Sequence, residues 1–195
     1  ITIATVSQTA DSKYLTATAT MTLTINKANP TIVFNDVTKN FGDVDFDLLA
    51  SSNSSGIFSF TVSDTSVASV SSSTITIIGG GSTIVTLNQA EVNNYNAGVA
   101  TMTLTVNKAS ISITFDDLTK TYGDPNFEFT ATSSSTGAFS FTISNTSIAT
   151  MVDSTTASIA AVGTSTVEVQ QAADDNYNSS TATMILTVIK ADPTI

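Results

Sequence analysis

The stretch from Tyr95 to Lys108 reads YNAGVATMTLTVNK. Its apolar residues alternate with threonine. Met102, Leu104 and Val106 fall on one side of an extended chain, and Thr101, Thr103 and Thr105 on the other. That period of two belongs to a β-strand with one buried and one solvated face. The phrase occurs three times, as YLTATATMTLTINK from Tyr14 to Lys27 and as YNSSTATMILTVIK from Tyr177 to Lys190. Lys27, Lys108 and Lys190 therefore mark a period of 81 and 82 residues, the kind of long-period self-similarity that identifies a modular array.

Working outward in the same register, other phrases recur. Gln8, Gln89 and Gln171 each precede the tyrosine by six residues. Thr38-Lys39 with Phe41-Gly42-Asp43 matches Thr119-Lys120 with Tyr122-Gly123-Asp124, and FSFTVSDTSVAS at Phe58–Ser69 matches FSFTISNTSIAT at Phe139–Thr150. The chain thus divides into the tail of one repeat (1–28), two whole repeats (29–109 and 110–190) and the start of another (191–195). The expectation is a longer parent, read from the middle of one repeat to the opening of another.

Each repeat is rich in Val, Ile, Thr and Phe, which suit a pleated surface, and lacks the Ala, Leu, Glu and Lys runs that favour helices. In the first whole repeat, turn residues punctuate it at Asn35-Asp36, Gly42-Asp43, Ser51–Gly56, Ser63-Asp64 and Gly79–Gly81. About seven short strands fit between them. The predicted fold is all-β: tandem Ig-like sandwiches of about seven antiparallel strands each, set end to end as an elongated rod. The predicted core of the first is Phe46, Leu48, Phe58, Phe60, Val62, Val67, Ile75, Ile77, Val85, Leu87, Tyr95, Leu104 and Val106. Lys27-Ala28-Asn29-Pro30 and Lys108-Ala109-Ser110 leave almost no linker, so neighbouring sandwiches are expected to touch and to hold a preferred angle.

Composition removes whole classes of function. Six Lys+Arg stand against sixteen Asp+Glu, a formal net charge of −10, which repels nucleic acid and anionic membranes. The chain has no Cys and no His, so it lacks thiol nucleophiles, disulfides and the usual general base. No enzyme is expected. No apolar run is long enough to span a bilayer as a helix. A polar, acidic surface favours a monomer unless exposed edge strands pair chains into a filament.

Read together, FGD, SFTVSDTSVASV, a Gly-containing turn before TIVTL, NYN and TMTLTVNKA resemble the bacterial Ig-like repeats that form long arrays in giant surface adhesins and related extracellular proteins. The resemblance spans the whole segment and implies bacterial cell-surface or extracellular display, adhesion or fibre formation. It carries no catalytic residues. The reading is a non-catalytic spacer or stalk whose partners are neighbouring repeats, other copies in a filament, or surface ligands held by distant domains. The alternative is a glycan- or protein-binding module acting directly in adhesion. The Ser-rich loops Ser51–Gly56 and Ser133–Gly137 lack the Trp, Tyr and Arg that anchor recognition, which favours the spacer.

Cofactors are expected to be none, with calcium the single ion worth testing. Asp43, Asp45 and Asp47 alternate, as do Asp124, Asn126 and Glu128, and the metal candidates are Asp43, Asp45 and Asp124, with Asp36 and Asp117 as further oxygen donors. Side chains two apart on a strand are spaced by about 7 Å, too far to share an ion without loop ligands, so a solvated acidic face is the ordinary reading. Lys27 and Lys108 follow Asn, which raises an isopeptide crosslink, but Lys190 follows Ile189 and a strand-end lysine is simpler. The Thr rows Thr20-Thr22-Thr24 and Thr101-Thr103-Thr105 invite comparison with ice-binding faces, yet Thr is also an ordinary solvent-facing strand residue. Asn53, Asn145 and Asn178 begin glycosylation triplets, expected by chance in so Ser-rich a chain. Tyr14, Tyr95 and Tyr177 are read as corner residues bonding backbone through the hydroxyl rather than as a sugar platform.

Overall fold

A computed structural model describes residues 1–193, and these contain strands but no helix. Residues 194 and 195, in the expected start of a further repeat, lie outside the described residues. A hairpin of β1 (Thr2–Gln8) and β2 (Ala17–Leu23) comes first. Nine strands follow: β3 (Ile32–Phe34), β4 (Val37–Asn40), β5 (Phe46–Asp47), β6 (Ala50–Ser52), β7 (Phe58–Val62), β8 (Ala68–Ser71), β9 (Thr74–Ile77), β10 (Gly81–Gln89) and β11 (Gly98–Asn107). Seven more complete the chain: β12 (Leu118–Thr121), β13 (Phe127–Glu128), β14 (Phe139–Ile143), β15 (Ala149–Met151), β16 (Thr156–Ile159), β17 (Gly163–Gln171) and β18 (Ser180–Ile189).

The long alternating phrase is β11, and it pairs antiparallel with β10, Val85 opposite Met102 and Thr83 opposite Leu104. The sheet runs β4-β11-β10-β7, and the shorter sheets β5-β9-β8 and β3-β6 face it. Val85, Met102, Leu104 and Val106 from one side meet Leu48, Val67, Ala68 and Ile75 from the other in one cluster. Burying each large aliphatic side chain of this kind stabilises the fold by about 1.5–3 kcal/mol. The second sandwich repeats the plan, with β12-β18-β17-β14 over β13-β16-β15 and a cluster holding Phe127, Phe129, Phe141, Val167, Val169, Met184, Leu186 and Val188. The isolated pairing of Thr114 with Thr132 stands where β3 and β6 pair in the first.

Two expectations need correction. The sheets are not purely antiparallel, because β4 runs parallel to β11 and β12 parallel to β18. The chain enters beside β6, crosses between sheets, and continues beside the last strand in the same direction. The crossover is pinned by Asp36, whose Oδ1 accepts the Thr103 N–H at 2.7 Å, and by Asp117, which accepts the Ile185 N–H at 2.7 Å. Side-chain alternation specifies a face but carries no strand direction. Within the expected core, Tyr95, Phe58 and the fully buried Leu87 stand outside the packed cluster, whereas Met102, Ala68, Phe34 and Val37 belong to it.

Gln89 and Gln171 are buried, 2% and 1% exposed. Gln89 accepts from Ser52 Oγ at 2.8 Å and donates to the carbonyls of Ser54 at 2.9 Å and Gly56 at 3.1 Å. Gln171 does the same with Ser133, Ser135 and Gly137. Each glutamine thus ties a Ser-rich loop to the end of a long strand, so its burial leaves no polar atom unpaired. Among the described residues no buried side-chain nitrogen or oxygen lacks a partner.

Candidate functional site: the junction between repeats

The recurring tyrosine closes a loop that leads into the last strand of each sandwich. In the second sandwich Asp174 shapes it. Its Oδ1 accepts the N–H groups of Asn176 at 2.8 Å and Tyr177 at 2.7 Å, and its Oδ2 accepts from Thr136 N–H and Ser135 Oγ, both at 2.8 Å. The Thr136 N–H, with the Ser135 hydroxyl and the Asn176 and Tyr177 amides, holds this carboxyl well below the usual carboxylate range against the opposing effect of desolvation. Asp11 forms the equivalent turn before Tyr14, accepting the N–H groups of Lys13 and Tyr14 at 2.8 Å.

This loop docks on the preceding sandwich. Ala109 donates its N–H to the Asn176 carbonyl and accepts from Asn178, both at 2.9 Å, forming an isolated parallel bridge with Tyr177. The Asn176 Oδ1 accepts the Gly80 N–H at 3.0 Å, and Lys108 Nζ donates to the Asp174 carbonyl at 2.5 Å. The rings of Phe41 and Tyr177 meet edge to face, 5.4 Å between centroids at 82°. Glycine is required at the contact. A Cβ on Gly80 would stand 2.6 Å from the Asp175 carbonyl oxygen of the docking loop, whereas the 2.7 Å approach of one on Gly79 is to the Ser66 carbonyl oxygen of its own sandwich.

The junction at residue 28 has the same backbone plan. Ala28 donates to the Asn94 carbonyl and accepts from Asn96, both at 2.8 Å, bridging Tyr95. Its side-chain chemistry differs: Lys27 pairs with Glu91 at 2.5 Å, and Asn96 Nδ2 donates to Asn29 Oδ1 at 2.8 Å. Pro30 lies so close to Gly98 that a Cβ there would stand 2.5 Å from the proline ring.

The structure disperses most of the residues singled out for other chemistry. Asp43 lies in a turn and accepts the Asn40 N–H at 2.9 Å, as Asp124 accepts the Thr121 N–H at 2.8 Å. Asp45 and Asp47 accept the hydroxyls of Thr76 at 3.0 Å and Thr74 at 2.6 Å on β9. Asp36 and Asp117 are engaged at the crossovers described above. Among the described residues no three His, Cys, Asp or Glu side chains come together as a metal group. The recurring lysines are junction residues and not merely strand ends, since Lys27 and Lys108 both reach the next loop. Among the described residues Tyr95 and Tyr177 bond through their backbone and not through their hydroxyls, so the corner reading is replaced by a docking one. Asn178 donates its side-chain amide to the Lys108 carbonyl at 3.3 Å, also at the junction. No described helix is long and apolar enough to cross a membrane.

Nothing in the sequence spacing announced that the tyrosine loop and the lysine belong to one contact. The signal was there in their joint recurrence, but a repeat period does not say whether its residues meet within a repeat or between two.

No family model matches the chain, and no curated protein matches it. Solved structures with a similar strand arrangement include the titin domains Z1Z2 in complex with telethonin, at 14% identity and a TM-score of 0.39, covering 86% of this chain and all of that one. The S-layer protein rSbsC(31-844) is similar at 14% identity and a TM-score of 0.37 over 100% of this chain and 36% of that chain. The Drosophila N-cadherin fragment EC1-3 is similar at 9% identity and a TM-score of 0.33, over 90% of this chain and 74% of that one. At identities of 9–14% and TM-scores of 0.33–0.39 these likenesses extend to the general strand arrangement and no further.

Proposed function

We propose that the chain is a non-catalytic spacer, a run of stalk repeats from a large bacterial surface adhesin or extracellular fibre, divided at 29–109 and 110–190. The observation that carries this reading is the junction. Each linker is fastened by backbone hydrogen bonds on both sides of Ala28 and Ala109, and at Ala109 by Lys108, Gly80 and the Phe41–Tyr177 ring pair as well. Backbone pairing at a linker fixes direction because it constrains several dihedrals at once, whereas a flexible tether leaves them free. A chain that uses its most regular features to hold one sandwich against the next transmits length and orientation.

The test places spin labels on cysteines introduced at Thr61 and Thr142, which are exposed positions of equivalent strands in a chain with no native Cys. A narrow distance distribution between them, broadened by a Gly/Ser insertion after Lys108 while the melting of each sandwich stays unchanged, is the expected result. A broad distribution in the native chain refutes the stiff spacer.

A further inference from the structure

The face of the first sandwich that receives the Tyr177 loop has an equivalent at the far end of the second. Tyr122 stands at the position of Phe41, each donating its N–H to the last strand of its own sandwich, to Ile189 and Asn107 respectively. Ala161 stands at the position of Gly79, each donating its N–H to the carbonyl just before the recurring Ala, that of Ile148 and of Val67 respectively. Val162 therefore takes the place of Gly80, and Gly163, φ 148°, that of Gly81, φ 147°. Phe41 is half-buried under Tyr177, whereas Tyr122 is 50% and Val162 42% exposed.

This second face cannot take a loop of the Asp174–Asn178 form in the geometry seen at the first. A side chain at the Gly80 position would put its Cβ 2.6 Å from the incoming Asp175 carbonyl oxygen, which is backbone and cannot swing aside. The linker that follows the face makes a matching demand. Lys190-Ala191-Asp192-Pro193 repeats Lys27-Ala28-Asn29-Pro30 and differs from Lys108-Ala109-Ser110-Ile111. Where proline follows the linker, the entering sandwich has Gly98 beneath it, because a Cβ there would stand 2.5 Å from the Pro30 ring. At the same point the second sandwich carries Ser180. Asp192 presents a carboxylate oxygen where Asn29 accepts from Asn96, and Lys190 presents an ammonium where Lys27 pairs with Glu91.

We infer that the end of the second sandwich, formed by Tyr122, Ala161 and Val162 with the Lys190–Pro193 linker, is a selective docking face for a repeat of the 29–109 kind and rejects one of the 110–190 kind. Two junction chemistries then alternate, and the order of repeats is written into steric complementarity rather than affinity alone. One type joins through a Gly-Gly face to an Asp-shaped loop. The other joins through an Ala-Val face and a proline linker to a Glu91-type loop over glycine. The inference rests on the stiff-spacer reading, and the Thr61–Thr142 measurement above separates the two.

The test lengthens the chain at Ile195, whose Pro193-Thr194-Ile195 matches Pro30-Thr31-Ile32. One fusion adds a copy of residues 33–109 and the other a copy of residues 114–190, each labelled at Thr142 of the second sandwich and at the added copy of Thr61 or Thr142. Thermal melting verifies that the added repeat is folded. The first fusion is expected to give a distribution as narrow as the native Thr61–Thr142 pair, and the second a distribution at least twice as wide. Replacing Ala161 and Val162 by Gly, with Ser180→Gly in the added copy, should narrow the second. In the unextended chain, Gly80→Val should broaden the native pair without any fusion. Equal widths for the two fusions, or an unchanged native width in Gly80→Val, overturn the selectivity while leaving the spacer standing. A broad native pair overturns the spacer and the inference with it.

Discussion

Replacing Gln89 by leucine keeps the volume of a buried side chain and removes all of its hydrogen bonding. The Ser52 hydroxyl loses an acceptor, and the carbonyls of Ser54 and Gly56 lose their donor. A hydrogen bond is worth about 1 kcal/mol net, and a buried group left unpaired costs about 1–3 kcal/mol. The first sandwich should therefore lose about 3 kcal/mol, a change of more than a hundredfold in its open population at about 1.4 kcal/mol per tenfold. Because the chain has no Trp and the two sandwiches are so alike, amide exchange read by mass spectrometry is the suitable assay, since it separates them by peptide. Amides of β7, β10 and β11 should exchange faster by about that factor, and those of β14, β17 and β18 should not change. Gln171→Leu should give the mirror result. A loss below about 1 kcal/mol for Gln89→Leu would refute the tie as the reason the glutamine recurs.

Two further outcomes follow from the carboxylates. The Asp174 carboxyl is held well below its ordinary value near 3.8 by the Thr136 N–H and its other donors, so its contribution is present above that value and is lost as pH falls through the lower folded value. Below about pH 4 the junction loop should begin to loosen, seen as shifts of the Thr136, Asn176 and Tyr177 amide resonances before the core resonances move. Asp174→Asn should abolish that early step, and simultaneous movement of loop and core would contradict it. Asp43, Asp45 and Asp124 each already accept a hydrogen bond within the fold, so the melting temperature should be the same in excess calcium and excess chelator. A rise of several degrees with calcium would restore the metal site.

The alternating phrases and their period were legible in the sequence because strand alternation and repetition are local or self-referential properties. Met102, Leu104 and Val106 declare an inward face, and the chain compares itself to itself for the rest. Burial was not legible in the same way. Phe58 and Tyr95 carry the pattern of core residues yet stand outside the packed cluster, whereas Met102, 2% exposed, belongs to it. Nor did alternation reveal the parallel pairing of β4 with β11, since direction depends on how the chain crosses between sheets. The tertiary structure alone decided that Gln89 holds a loop, that Lys108 and Tyr177 belong to one contact, and that glycine at 80 is a condition of docking. Those are relations between residues far apart in the chain, made specific by distances of a few ångströms that no spacing in a linear sequence encodes.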